Sequence, residues 1–271
     1  MNAQPRTTRT TTTGRAPRSA TRELLGLHTR EFVRDYRSSV FALVFPLGMA
    51  ALFLGMAEII PEPTDPGAGM SFQQFVVPVT LLFALTSTPL TATSGPLVNL
   101  RTQGTLRLLS TTPVSRARLL LTHMPVRLGL VLFQLAALIT AGAVLGHVEP
   151  ADTPALFGAA LLGLLMFGAL GYLIGGVLPG PDAATHTGTF VQMVSMLLCF
   201  MFLPMGMLPD SFARVISHLP PSYLADLVFG QIPGWEPLHP VWQSVLVLLG
   251  TTALLAVLAV RLFRWDQSER E

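Results

Sequence analysis

Six histidines (His28, His123, His147, His186, His218 and His239), one cysteine (Cys199) and 17 arginines are the side chains from which a metal site, a nucleophile or an anion site would have to be built. The histidines show no ligand spacing and no cysteine pairing, so no metal centre is expected. Neither His-Glu-x-x-His nor Gly-x-Ser-x-Gly occurs, which removes the obvious signatures of a membrane zinc protease and of a serine hydrolase. Lysine is absent altogether. A Walker A loop needs a lysine on the β- and γ-phosphates, so any ATP hydrolysis has to come from another chain. Cys199 has no partner for an intrachain disulfide. Glu58 and Asp226 stand near the outer ends of apolar segments, where water is close, and make poor proton relays.

The densest polar chemistry lies in Arg101-Thr102-Gln103-Gly104-Thr105-Leu106-Arg107-Leu108-Leu109-Ser110-Thr111-Thr112-Pro113-Val114-Ser115-Arg116. Thr112 as N-cap with Pro113 at the first helical position starts a helix cleanly. Leu106 and Leu109, three apart, offer an apolar edge to a groove on a partner, and Arg101, Arg107, Arg116 and Arg118 can pair with acidic groups there. On charge alone, the same arginines serve equally well as topological anchors against anionic lipid.

The elements that hold this segment are apolar. Of the 271 residues 51% are hydrophobic and 12% charged, a balance that a soluble domain of this length could hardly keep in solution. Six stretches reach the roughly 20 residues needed to cross hydrocarbon, at about 38–60, 72–97, 125–145, 154–178, 188–208 and 239–262. Sixteen of the 17 arginines fall before the first span, around the second-to-third loop or at the end of the chain from Arg261 on; only Arg214 is opposite. That asymmetry places both termini and the Arg101–Arg127 loop in the cytoplasm, in a multi-pass protein of the cell membrane. Residues 1–18 read as a disordered cytoplasmic tail, and 19–271 as the transmembrane domain. Leu25, Phe32 and Tyr36 share one helical face, with Arg30, Arg34 and Arg37 on another, as in a helix lying in the headgroup plane or in a juxtamembrane basic segment. Before the sixth span, Phe212, Val215, Ile216 and Leu219 predict one short amphipathic helix. Beyond Pro220-Pro221, Leu224, Leu227 and Val228 predict a second, and the pair suggests a re-entrant or interfacial cap.

Within the spans, Thr86, Thr88 and Thr91 belong to a run of hydroxyls around Pro89 and Pro96. Hydroxyls can re-satisfy carbonyls that prolines leave free, or border a translocation path. Gln134 and Gln192 are polar at mid-span and should face the interior. Met196 and Phe200 belong to a Met- and Phe-rich fifth span suited either to packing or to varied apolar ligands. Gly168, Gly171 and Gly175 recur at helical spacing and predict close helix approach.

The Gly-Thr-Leu and Thr-Pro-Val-Ser-Arg elements and their spacing resemble the cytoplasmic segment of ABC-2 type transport permeases, the membrane subunits of one class of ATP-driven exporters. The Phe-Leu-Pro…Leu-Pro-Pro-Ser-Tyr run resembles that family's region before the sixth span. The family often carries acidic residues just before the glycine and after Gly-Thr-Leu, where this chain has Gln103 and Arg107. The resemblance implies an all-α integral membrane fold of six transmembrane helices, an N-terminal elbow helix at Leu25, Phe32 and Tyr36, and short re-entrant helices before the sixth span. It implies ATPase coupling through Arg101, Gly104, Thr105, Leu106, Arg107, Leu109, Pro113, Val114, Ser115 and Arg116. It also implies a non-enzymatic transport subunit exporting a drug, antibiotic or lipid, with no cofactor of its own and with ATP and Mg bound by the partner ATPase. The partners are that cytoplasmic ATPase, a second permease copy or paralogue, and membrane lipid, with no nucleic acid. The alternative class is an ion-coupled secondary transporter, which usually carries ionisable groups at mid-depth.

Overall fold

A computed structural model of the chain describes residues 36–61, 72–102, 116–200, 209–233 and 235–263. These form eight helices: α1 (Tyr36–Ile59), α2 (Phe72–Thr102), α3 (Arg116–Val144), α4 (Thr153–Val177), α5 (Pro181–Phe200), α6 (Asp210–Ser217), α7 (Pro220–Phe229) and α8 (Val241–Leu262). No strand occurs among the described residues. By length and composition, Phe72–Asn99 of α2, Thr153–Val177 of α4 and Val241–Leu262 of α8 can each cross a bilayer; Val44–Ile59 and Leu128–Val144 are shorter apolar stretches.

Proline marks where helices begin. Pro154 sits in the first turn of α4, Pro220 and Pro221 open α7, and Pro181 opens α5. A missing N–H does no harm there, because the first turn has no acceptor for it. α5 therefore starts seven residues before the apolar run expected at 188, since Asp182, Thr185 and His186 are helical without being apolar. α2 and α3 likewise run past the apolar spans toward each other, to Thr102 and from Arg116. α4 ends where Leu178 turns extended (φ −74°, ψ 145°) ahead of Pro179, which disfavours helical geometry in the residue before it.

α4 packs most extensively on α2 and α8. Between apolar helices in a membrane the drive to associate is close packing rather than escape from water, so small residues decide where helices touch. Gly171 and Gly175 lie one turn apart against α2. A β-carbon at Gly171 would stand 3.2 Å from the Leu90 Cα and collide with the Thr93 hydroxyl, and one at Gly175 would stand 2.8 Å from the Ser94 carbonyl oxygen. Gly168 faces Leu128 of α3 instead. Around this seam the core joins Leu81, Leu85 and Leu90 of α2 to Leu135 and Ile139 of α3, Leu164 and Phe167 of α4, and Leu248 of α8.

The two short helices differ from their sequence pattern. In α6, Ile216 is buried but Phe212 and Val215 are exposed, so the apolar stripe splits between core and surface. In α7, Leu224, Leu227 and Val228 are buried as expected, yet so are Ser222, Tyr223, Ala225, Asp226 and Phe229: the helix is enclosed on every side. At ten residues it is about 15 Å long, too short to span. It lies against α2, α4, α5 and α8, and Cys199 Sγ of α5 reaches its Pro221 carbonyl at 3.4 Å.

Candidate functional site

The expected coupling residues sit between the ends of α2 and α3. Arg101 is in the last turn of α2, and Arg116 is the first residue of α3. Gly104, Thr105, Leu106, Arg107, Leu109, Pro113, Val114 and Ser115 lie outside the described residues, as do Leu25 and Phe32 of the expected elbow and the 1–18 tail. Tyr36 opens α1, and Phe200 is the last residue of α5.

The candidate path residues separate into two groups. Thr86 and Thr88 are buried in α2, while Thr91 is exposed. The Thr86 hydroxyl donates to the Leu82 carbonyl at 2.9 Å, Thr91 to Ser87 at 3.1 Å, Thr93 to Pro89 and Ser94 to Leu90, both at 2.7 Å. These four hydroxyls satisfy themselves one turn back along their own helix, rather than rescuing the Leu85 carbonyl that Pro89 leaves without a donor, whereas the buried Thr88 hydroxyl has no partner among the described residues. Thr93 and Ser94 press on the α4 glycines, so this part of the hydroxyl run belongs to the helix seam. On α5, Gln192 and Met196 are half-buried beside an exposed strip of Phe190, Met193 and Leu197.

Gln134 stands apart. It is 1% exposed, and neither amide atom has a hydrogen-bond partner among the described residues. Burying an amide unsatisfied costs about 1–3 kcal/mol, and a group kept at that cost in a native core calls for an explanation in water, strain or function.

Two ionisable pairs were not legible as pairs. Asp226, inside α7 and 2% exposed, accepts the Leu238 N–H on Oδ1 at 3.0 Å and the His239 N–H on Oδ2 at 2.8 Å. His239 Nδ1 lies 3.3 Å from the same Oδ2, and the Tyr223 ring rests on the imidazole at a centroid distance of 4.3 Å. With both oxygens engaged by backbone donors, the carboxylate is a fastening between α7 and the start of α8 rather than a free proton carrier. The signal available in the sequence was a lone aspartate within Tyr223-Leu-Ala-Asp-Leu-Val-Phe229. The second pair joins α1 to the α3–α4 turn. His147 Nε2 lies 3.3 Å from Glu58 Oε1, close enough for an ion pair but without the alignment of a hydrogen bond.

The sequence model of the ABC-2 family transporter proteins matches residues 57–261, from the end of α1 to the last turn of α8. The chain belongs to that family. No curated protein matches it. As an ABC-2 protein it is a membrane transport component of an ABC transporter, and its apolar helices fit that assignment.

Proposed function

We propose that the chain is the permease of an exporter that moves an apolar or amphipathic molecule (a drug, an antibiotic or a lipid) out of the cell, pairing with a second copy or a paralogue and drawing on a separate cytoplasmic ATPase. In this reading α1 to α5 and α8 are the six spans, both termini are cytoplasmic, α6 and α7 form the outer cap, and residues around Leu25, Phe32 and Tyr36 form the elbow. Thr91, Gln192, Met196 and the strip Phe190, Met193 and Leu197 border the path, with Thr86, Thr88, Gln134 and Phe200 behind or beside them.

The observation that supports coupling through residues 101–116 is helix length. α2 has 31 residues and α3 has 29, about 46 and 44 Å, against a hydrocarbon core of about 30 Å. Both overrun the apolar layer at the ends that carry Arg101 and Arg116, so a displacement of residues 101 and 116 is passed directly to the two helices. Leu106→Asp would then place a charge in an apolar groove of the ATPase at a cost of several kcal/mol, whereas Arg107→Ala removes an exposed ion pair worth roughly 0–1 kcal/mol. In a pull-down of the complex, Leu106→Asp should lose the ATPase and transport while still inserting and expressing. Equal recovery and unchanged transport would reduce the segment to a topological anchor.

A further inference from the structure

α4 and α8 meet at one end of the bundle and part at the other. Where they meet, Phe263 lies against Gly176, and a β-carbon on that glycine would stand 3.1 Å from the phenyl ring. Toward the starts of both helices the space between them is a cleft of about 440 Å³, within the range of ligand sites. Ala155, Gly158 and Leu161 of α4 form one wall, Val245 of α8 the other, and Leu227 and Gly230 at the end of α7 the floor. The polar lining is a single cluster, Gln231 with the Asp226–His239 pair. Asp226 is already engaged and Gln231 Nε2 spends one N–H on the Leu227 carbonyl, which leaves the His239 ring and the second N–H of the Gln231 amide to meet an accepting group of an occupant.

Apolar walls offer water too few partners to hold it. Val241 at the start of α8 lines the cleft and is itself exposed, as are Trp242, Leu246 and Leu249 further along the same helix, little of which is buried. In a membrane protein such a face meets hydrocarbon, so the molecules at the mouth are lipid chains. We propose that the cleft holds one acyl chain of a bilayer phospholipid, laid between α4 and α8 over Leu227 and Gly230, with its ester end at His239 and Gln231. The chain braces α7, and with it the Asp226 fastening, against the two long helices. This rests on the protein lying in a bilayer and not on its coupling to an ATPase, so failure of either idea leaves the other standing.

The full chain is reconstituted in phosphatidylcholine vesicles containing a phosphatidylcholine with a diazirine in one acyl chain, irradiated, and mapped by peptide mass spectrometry. Residues 155–162 and 241–245 should label more heavily than the exposed Leu254 and Val257, which sample only exchanging lipid. Gly158→Leu fills the cleft from one wall without a clash, because a β-carbon there meets nothing within 4 Å. It should lower cleft labelling about tenfold, a loss on the order of one decade in binding constant, and leave Leu254 and Val257 unchanged. Val245→Phe fills it from the other wall and should do the same. Labelling no heavier than at Leu254 and Val257, or unaffected by both substitutions, overturns the assignment. So does modification of Leu162→Cys by a membrane-impermeant maleimide as fast as that of Asp152→Cys, which would mean that water occupies the cleft.

Discussion

Gly171 of α4 and Thr93 of α2 face each other with no room for a β-carbon between them. Gly171→Val and Gly175→Val should each lower the thermal unfolding midpoint of the detergent-purified chain, by the roughly 1–3 kcal/mol typical of overpacking or more, since backbone atoms of Leu90 and Ser94 stand in the way. Gly250→Ala, where a β-carbon meets nothing within 4 Å, is the control and should leave the midpoint unchanged or slightly raised. Equal midpoints for all three would contradict the close approach of α2 and α4.

The Asp226 fastening predicts an order of effects. Asp226→Ala strips the Leu238 and His239 N–H groups of their acceptor; because Leu238 is exposed and His239 half-buried, each loss costs about the net 0.5–1.5 kcal/mol of a hydrogen bond rather than a full desolvation penalty. Asp226→Asn keeps one carbonyl oxygen in place and should lose less. Thermal midpoints in the order unmodified, Asn, Ala are expected; an Ala variant as stable as the unmodified chain would show that the carboxylate holds nothing together.

Gln134 tests whether an orphaned amide is retained for use. Replacing it with Met removes two unpaired buried atoms at similar volume, so stability should rise by about 1–3 kcal/mol, while transport should slow if the amide serves the path. A destabilised Gln134→Met chain would mean that the amide has partners after all.

Topology is open to labelling. Cysteines introduced at Thr64 and Asp152 should react with an impermeant reagent added outside intact cells, and one at Thr111 should not. External labelling of Thr111→Cys overturns the six-span frame.

The purified chain should hydrolyse no ATP by itself, because it has no lysine with which to hold the phosphates. Nucleotide turnover by the isolated polypeptide, free of contaminating ATPase, would remove the division of labour proposed for it.

The long helices were legible because a continuous apolar run needs no knowledge of neighbours: α4 was expected at 154–178 and lies at Thr153–Val177. The bounds of α5 were not, because apolarity marks the hydrocarbon layer whereas the helix continues through Asp182 and His186. Gly171 and Gly175 announced close packing by their spacing, but not that Thr93 and Ser94 would be the residues packed upon. α7 carries three leucine-type positions on one face and looked amphipathic. Its burial on all sides comes from four neighbouring helices, which no local pattern records. The Asp226–His239 contact joins positions thirteen apart, across the end of α7 and a Pro-, Gly- and Trp-containing segment where no periodicity exists to read. The coupling residues remain carried by motif alone, since Gly104 to Ser115 lie outside the described structure.

Mechanically, α2 is a beam gripped hardest by α4 over Leu90 to Leu97, about 13 Å from its Thr102 end and about 32 Å from its Phe72 end. Pro89 stands at the start of that grip and removes one backbone hydrogen bond from the shaft. The beam is therefore most compliant where it is clamped. A sideways load on the short arm is relieved as bending at the clamp, in the manner of a flexure bearing, and the long arm tilts about a fixed point instead of being dragged along its length.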